Sequence, residues 1–139
     1  MRVLITAGPT RQPIDDVRFL SNRSSGQMGV AMANVFRDVG WDITLLLGPV
    51  DSAVEASVDG GITVRRFETV DELQALLTEE FPACDVLAMA AAVGDFKPAR
   101  SSGKLSRSAG PIDLHLEPTE DISATVGATK RDDQFVISF

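Results

Sequence analysis

The sequence predicts an α/β fold, a Rossmann-like three-layer sandwich with a mostly parallel central sheet. Two continuous apolar runs, RVLIT and DITLLLG, are typical of strands that are covered on both faces in a parallel sheet. An amphipathic helical pattern lies between them and completes a βαβ unit. Strands and helices keep alternating after it, so we expect right-handed crossovers and a Rossmann-like strand order.

Apolar runs predict the strands, and helical periodicity predicts the helices. The predicted strands are residues 2–6, 42–48, 62–67, 85–93, 111–117 and 134–139. The predicted helices are residues 28–39, 69–81 and 119–129. We also expect a long loop at residues 7–22 and a second one, without periodicity, at residues 94–110.

Capping residues mark the two longer helices. Ser24 or Ser25 is the candidate N-cap of the first helix, and Gly40 stands just past its end. In the second helix Thr69 is followed three residues later by Glu72, the spacing of a capping box.

The run PIDLHLE alternates between apolar and polar residues. Ile112, Leu114 and Leu116 fall on one side of it, which predicts a strand with one buried and one solvated face. His115 falls on the polar side, where an exposed surface histidine is expected. The chain stops inside its last apolar run, at Phe139, so we expect a sheet that is incomplete at the C-terminal end.

Composition narrows the class of protein. The chain has 139 residues, enough for one domain, and its net charge of -7 argues against a nucleic-acid-binding surface. Local charge can still bind a small anion, because distant charges are screened. Cys84 is the single cysteine and is expected to be a buried small hydrophobe. No apolar run is long enough for a signal peptide or a membrane span, so we expect a cytoplasmic protein.

Ligands of doubly wound sheets bind beyond the carboxyl ends of the strands. Three irregular segments should meet there: residues 8–10 with the loop that follows, the turn at 91–96, and a flap at 97–110. The flap carries four basic residues and no acidic residue between Asp95 and Asp113, and Arg11, Arg18 and Arg23 lie in the first loop. We therefore expect an anion site, although an incidental solvated loop has the same composition.

The stretch SNRSSGQMG places Ser24, Ser25, Gly26 and Gly29 at the start of the first helix. Hydroxyl groups and unobstructed backbone amides there would cradle phosphate oxygens. Close packing of the helix on the sheet explains the glycines equally well, since the spacing is neither a P-loop nor G-x-G-x-x-G. Both explanations stay open. No cluster with metal-ligand spacing is visible.

Together the stretches ITAGPTRQPID, VRFLSNRSSGQMG and AAVGDF, with the GKL of the flap, resemble the phosphopantothenoylcysteine synthetase family. They occur in that family's order over nearly the whole chain. The resemblance implies a ligase of coenzyme A biosynthesis that joins 4'-phosphopantothenate to L-cysteine, with CTP activating the carboxylate as an acyl-cytidylate and Mg²⁺ as the accompanying cation. It also implies a homodimer, a separate decarboxylase partner, and the absence of the C-terminal part of the family's domain.

The resemblance further implies roles for single residues. Asn22 and Lys104 would be catalytic, and Arg18, Asn22 and Ala91 would bind substrate. The nucleotide would contact Gly8, Thr10, Ser24, Ser25, Gly26, Gly29, Ala92, Asp95, Phe96 and Lys104. Residues 1–139 would form one nucleotide-binding, synthetase-like domain with a flexible flap at about 95–110. A non-catalytic nucleotide- or flavin-binding module is the alternative; an oxidoreductase is disfavoured because G-x-G-x-x-G and tyrosine are missing.

Overall fold

The computed structural model describes residues 1–139, apart from the side chain of Ala109. The strands, numbered along the chain, are β1 (Arg2–Pro9), β2 (Arg11–Pro13), β3 (Phe19–Ser21), β4 (Asp42–Leu47), β5 (Thr63–Arg66), β6 (Val86–Ala92), β7 (Phe96–Pro98), β8 (Leu116–Pro118) and β9 (Phe135–Ser138). The helices are α1 (Gln27–Asp38), α2 (Ser52–Glu55), α3 (Val70–Glu80) and α4 (Ile122–Thr129). Short 3₁₀ turns lie at Phe81–Ala83 and Arg107–Ala109.

Five strands form the central sheet in the order β5-β4-β1-β6-β9, and every neighbouring pair in it is parallel. When these five strands are renumbered 1 to 5 in chain order, their order across the sheet is 3-2-1-4-5, that of a doubly wound fold. The sheet therefore confirms the predicted Rossmann-like α/β class. Because all the strands run the same way, their carboxyl ends meet at one edge, where the connecting loops gather.

Alternate residues of β1 feed two separate cores, one on each face of the sheet. Val3 and Ile5 belong to the core under α1, whereas Leu4 belongs to the core under α3 and α4. All three are almost completely buried. This double burial is the reason why the strand sequence is continuously apolar. Cys84 also lies buried at the second core, and burial raises the pKa of its thiol.

The first loop contains more regular structure than predicted. Strand β1 continues to Pro9, and β2 and β3 form an antiparallel hairpin within residues 7–22. Gly8 lies one residue before the end of β1, and its φ of +87° is a value that favours glycine. Short strands of three residues leave too brief a pattern to be read from sequence.

The predicted N-cap of α1 is wrong. The helix begins at Gln27 with Gly26 at the N-cap position, and no side chain caps it there. The Ser24 and Ser25 hydroxyl groups lie 3.4 Å from the amides of Gly26 and Gln27, too long for a strong cap. By contrast, the capping box of Thr69 and Glu72 at α3 is confirmed.

The strand predicted at residues 111–117 is also wrong. Only Leu116–Pro118 is extended, and it pairs antiparallel with β7 outside the central sheet. Ile112 and Leu114 are about half exposed, at 47% and 45%. An alternating pattern acquires a buried face only when another layer covers it, and in this part of the fold none does. His115 is exposed, as expected.

Strand β9 lies at the edge of the sheet beside β6. Its outward side chains Phe135 and Ile137 are 68% and 47% exposed. Among the described residues, no helix is long and apolar enough to cross a membrane.

Candidate functional site

The carboxyl ends of β1 and β6 lie side by side and carry the first part of the site. The amide of Thr10 donates to the carbonyl oxygen of Ala92 at 3.2 Å, and the Asn22 side-chain amide donates to the same oxygen at 2.7 Å. Ala91, the residue before, donates its amide to the Thr6 hydroxyl at 3.1 Å. The first loop and the turn at 91–96 therefore meet as the sequence predicts.

Asn22 is held at both ends of its side-chain amide. Its Oδ1 accepts from the amide of Ser24 at 3.0 Å, while its Nδ2 donates to Ala92. The residue is nevertheless exposed, so the fixed amide faces accessible space. An uncharged group that offers both a donor and an acceptor in a fixed orientation is suited to align a reacting molecule.

The turn that presents Asp95 is fixed by two threonines. Thr10 Oγ1 accepts from the amide of Gly94 at 2.9 Å, and Thr119 Oγ1 donates to the Gly94 carbonyl oxygen at 2.8 Å. The amide of Thr119 donates to the carbonyl oxygen of Asp95 at 2.8 Å. Thr10 is only 1% exposed, and its hydroxyl supports this turn. Asp95 and Phe96 are exposed.

Gly29 is explained by packing of helix on sheet. A Cβ placed there would lie 2.5 Å from the Ala7 Cβ and 3.1 Å from the Thr6 carbonyl oxygen. Gly26 adopts φ +76°, and a Cβ on it would lie 2.6 Å from Val50 Cγ1. Of the two explanations left open by the sequence, the packed helix start accounts for both glycines.

The first turn of α1 contains amides that the helix itself leaves without acceptors. Intrahelical hydrogen bonding starts with Val30, whose amide donates to the Gly26 carbonyl oxygen at 3.2 Å. The amides of Gln27, Met28 and Gly29 thus have no acceptor within the helix. A cleft of about 260 Å³ lies beside this helix start, and its walls include Arg11, Asn22, Arg23, Ser24 and Ser25. Arg11, Arg23 and the two serine hydroxyl groups favour an anion in this cleft, whose walls also include Asp51.

A second cleft, of about 410 Å³, opens beside the turn at 91–96. Asp95 and Phe96 line it together with Thr119, Glu120 and Asp121. The sequence predicts Asp95 and Phe96 as site residues but does not single out Thr119, Glu120 and Asp121. The sequence signal for these three residues is the polar stretch PTED, which leads from the end of β8 to the start of α4.

Two of the four basic residues of the flap are already neutralised. Lys97 forms an ion pair with Asp71 at 3.0 Å, and Arg100 with Asp16 at 3.2 Å. Lys104 and Arg107 are exposed, and within the described part of the chain neither forms an ion pair. They are the flap cations that remain free to meet an anion.

The Asp15 carboxylate joins the first loop to the flap. Its side chain is fully buried; Oδ1 accepts from the amides of Val17 and Arg18 at 2.8 and 2.6 Å. Oδ2 accepts from the Arg18 guanidinium at 2.7 Å and from the amide of Leu105 at 3.0 Å. Burial acts to raise the pKa of Asp15, but the three amide hydrogen bonds and the Arg18 charge outweigh it and lower that pKa.

Arg18 is predicted to bind substrate, and the structure shows it in an additional role. Besides its pair with Asp15, its guanidinium donates to the carbonyl oxygen of Leu105 at 3.2 and 3.3 Å. The side chain remains 43% exposed. Leu105 directly follows Lys104, so Arg18 and the predicted catalytic lysine belong to the same local structure.

Among the described residues, no group of three His, Cys, Asp or Glu side chains is arranged to hold a metal ion. Carboxylates near the site already accept hydrogen bonds from protein groups: Asp15 from Arg18, Glu120 from the Gln74 side chain and Asp121 from the Ala124 amide. The donor set therefore does not fit a resident metal. A cation would have to arrive with the ligand.

Comparison with known proteins gives the family. The profile of the DNA/pantothenate metabolism flavoprotein C-terminal domain matches residues 1–139. The coenzyme A biosynthesis bifunctional protein CoaBC of Mycobacterium bovis is 39% identical over 127 residues, which are 90% of this chain and 30% of that protein. A prokaryotic protein named cysteine/cysteine sulfinic acid decarboxylase is 42% identical over 139 residues, 99% of this chain and 38% of its own. The chain thus spans about a third of the length of these relatives.

Solved structures agree with the fold. The C-terminal domain of a CoaBC protein superposes with a TM-score of 0.80 at 34% identity, covering 97% of this chain and 61% of that one. A Cab2 mutant in complex with phosphopantothenate-cysteine superposes with a TM-score of 0.79 at 17% identity, covering 97% and 62%, and this likeness concerns the fold alone. With its whole length matched and its sheet reproduced, the chain belongs to the family of DNA/pantothenate metabolism flavoprotein C-terminal domains.

Proposed function

We propose that this chain supplies the nucleotide- and substrate-binding domain of a ligase that joins 4'-phosphopantothenate to L-cysteine. The observation that carries the proposal is the fixed Asn22 amide, bonded to Ala92 and Ser24 at the wall of the smaller cleft. Family membership and the CoaBC relatives support it. The site is an anion-binding one, as the joining of a phosphorylated acid through a nucleotide requires.

The proposed reaction has two steps. A carboxylate oxygen of phosphopantothenate attacks the α-phosphorus of CTP, forms an acyl-cytidylate and displaces pyrophosphate. The amine of cysteine then attacks the acyl carbon, an amide bond forms, CMP leaves, and the amine loses a proton. Both steps bring anionic groups together, so cationic side chains must offset their repulsion.

The residues divide these tasks. Lys104 would stabilise the negative charge that develops on the phosphates, and Arg18 would bind an anionic group of the substrate. Asn22 would orient the acyl intermediate for aminolysis, with Ala91 lining the same position. The amides at the start of α1, with Ser24, Ser25, Gly26 and Gly29, would contact phosphate oxygens.

The nucleoside would lie in the larger cleft. Asp95 would accept a hydrogen bond from the nucleoside, and Phe96 would provide an apolar contact, with Ala92 beside them. Thr10 would contribute by holding the turn, and Gly8 by the bend that leads into it. Mg²⁺ would arrive bound to the triphosphate, whose charge it offsets.

We further propose a cytoplasmic homodimer that works with a decarboxylase partner. Exposed apolar residues on the two small sheets, Phe19 and Leu116, would form the contact between copies. Light scattering after gel filtration measures the mass; a monomer at every concentration would contradict the dimer.

A pyrophosphate-release assay tests the ligase. The purified protein should release pyrophosphate from CTP only when phosphopantothenate is present, and should form the amide product when cysteine is added. ATP in place of CTP serves as the comparison nucleotide. No release with either nucleotide, from protein whose circular dichroism shows an intact fold, would contradict the proposal.

The alternative is a non-catalytic nucleotide- or flavin-binding module. It is favoured by the flap, in which only Lys104 and Arg107 lack an ion pair among the described residues. Saturable binding of CTP or of a flavin without pyrophosphate release would support this alternative over the ligase.

A further inference from the structure

We infer that Asp15 is a positioning residue of the proposed ligase site, because its buried carboxylate docks the flap and thereby sets the position of Lys104. The inference rests on the proposed function. It concerns a residue that touches no reacting atom and acts through the Leu105 amide and the Arg18 guanidinium.

The geometry of the carboxylate separates two tasks between its two oxygens. Oδ1 accepts only from the amides of Val17 and Arg18 and so shapes the first loop itself. Oδ2 reaches across to the flap through the amide of Leu105 and also binds the Arg18 guanidinium. One oxygen therefore maintains local structure, and the other connects segments that are 90 residues apart.

The flap is joined to the first loop at further points, none of which involves a buried charge. Ser101 donates its amide to the Ile14 carbonyl oxygen at 2.9 Å, and Asp16 donates its amide to the Gly103 carbonyl oxygen at 3.4 Å. Asp16 and Arg100 form an ion pair on the surface, with half or more of each side chain exposed. Exposed pairs of this kind contribute little.

Asp15 differs from these contacts because its charge is buried. A buried carboxylate needs its hydrogen-bond partners to remain in place, since leaving it without them is costly. The flap residue next to Lys104 is one of those partners. Because the buried Asp15 carboxylate must keep its hydrogen bond from the Leu105 amide, the backbone of the neighbouring Lys104 is held against the loop that carries Arg18.

This arrangement predicts a specific defect when the Oδ2 bonds alone are broken. In Asp15→Asn the retained oxygen can still accept from Val17 and Arg18, whereas the new NH₂ group faces the Leu105 amide, donor against donor. We expect the flap to detach while the first loop keeps its shape. The matched control is Asp16→Asn, which removes the same charge one residue away and breaks only the surface pair.

The first measurement is amide hydrogen exchange without substrates. Exchange of the Leu105 amide should become about tenfold faster in Asp15→Asn, while the Val17 amide and the control variant keep wild-type rates. Unchanged exchange at Leu105 would overturn the inference. If Asp15→Asn fails to fold, Leu105→Pro removes the same flap donor from the other side, because proline has no backbone N–H, and the kinetic measurement is then made on that variant.

The second measurement is steady-state kinetics with the nucleotide varied. A purely structural role would lower the fraction of active protein, and hence kcat, and leave KM unchanged. A positioning role should raise KM for the nucleotide as well, with kcat/KM falling about 100-fold. The double variant that combines Asp15→Asn with Leu105→Pro should lose no more kcat/KM than either single variant, because both substitutions break the same contact.

The outcomes separate the two claims. Wild-type protein without any turnover would overturn the ligase and, with it, a positioning role in that reaction. Wild-type turnover together with a wild-type KM in Asp15→Asn and Leu105→Pro would overturn the role of Asp15 alone. Faster Leu105 exchange combined with a raised KM supports it.

Discussion

Gly29 on α1 and Ala7 on β1 are in such close contact that the helix leaves no room for a methyl group between them. A Cβ on Gly29 would stand 2.5 Å from the Ala7 Cβ, and backbone atoms of the strand lie behind it at 3.1 Å. Neither neighbour can rotate away. The position of α1, and with it the orientation of its free amides, therefore depends on this glycine.

Gly29→Ala should consequently destabilise the fold by about 1–3 kcal/mol, because helix and sheet must move apart. The matched control is Gly127→Ala in the interior of α4, where a Cβ meets nothing within 4 Å. That change should stabilise by about 0.5–1 kcal/mol through helix propensity. Urea unfolding measures both. Equal effects of the two substitutions would contradict the packing explanation.

Asn22→Asp should stop the proposed reaction between its two steps. The change removes the donor to the Ala92 carbonyl oxygen and places a negative charge beside the acyl intermediate. Product formation should fall about 100-fold while acyl-cytidylate accumulates, which mass spectrometry detects.

Asn34→Asp is the control for that variant. Asn34 makes the same pair of hydrogen bonds far from the site, donating to Ser57 at 2.8 Å and accepting from Asp59 at 3.0 Å. Its activity should stay within about twofold of wild type. Normal product yield in Asn22→Asp would remove Asn22 from the mechanism.

Lys104→Gln should slow pyrophosphate release about 100-fold, because it removes the positive charge that would stabilise the negative charge developing on the phosphates. Lys97→Gln removes the same charge from the same flap, but Lys97 is neutralised by Asp71. We expect the Lys97 variant to stay within about threefold of wild type. If both variants lose activity equally, the flap acts through its overall charge and Lys104 has no special role.

Acid should release the flap through Asp15. The pKa of this carboxyl lies below its ordinary value of 3.8 in the folded protein, so its contribution to stability is complete above that value. It is lost as the pH falls further, through the folded-state pKa. The difference in Tm between wild type and Asp15→Asn should therefore shrink below about pH 4. A difference that stays constant down to about pH 2 would contradict the lowered pKa.

Local patterns explain which features could be predicted from the sequence. The buried strands and the capping box of Thr69 and Glu72 depend on neighbours within a few residues, and both were predicted correctly. The meeting of the first loop with the turn at 91–96 follows from the parallel sheet and was also predicted.

Features set by distant partners could not be predicted in this way. In the sequence Asp15 is an ordinary loop residue, and its role depends on the Leu105 amide that the fold brings beside it. Thr119 likewise supports the turn at 91–96 through its hydrogen bond to Gly94. The alternation at residues 111–117 misled for a related reason, since a pattern does not reveal whether a second layer covers it. A contact whose two partners are brought together only by the fold cannot be predicted from local sequence patterns.

The exposed edge strand β9 affects how the protein behaves in bulk. One side of its backbone has no neighbouring strand among the described residues, and its aromatic and aliphatic side chains face water. Such an edge is a template on which further chains can add and form aggregates. For a protein made of residues 1–139 alone, loss of material at high concentration would therefore begin at β9, and a single lysine introduced there, Ile137→Lys, would improve solubility without approaching either cleft.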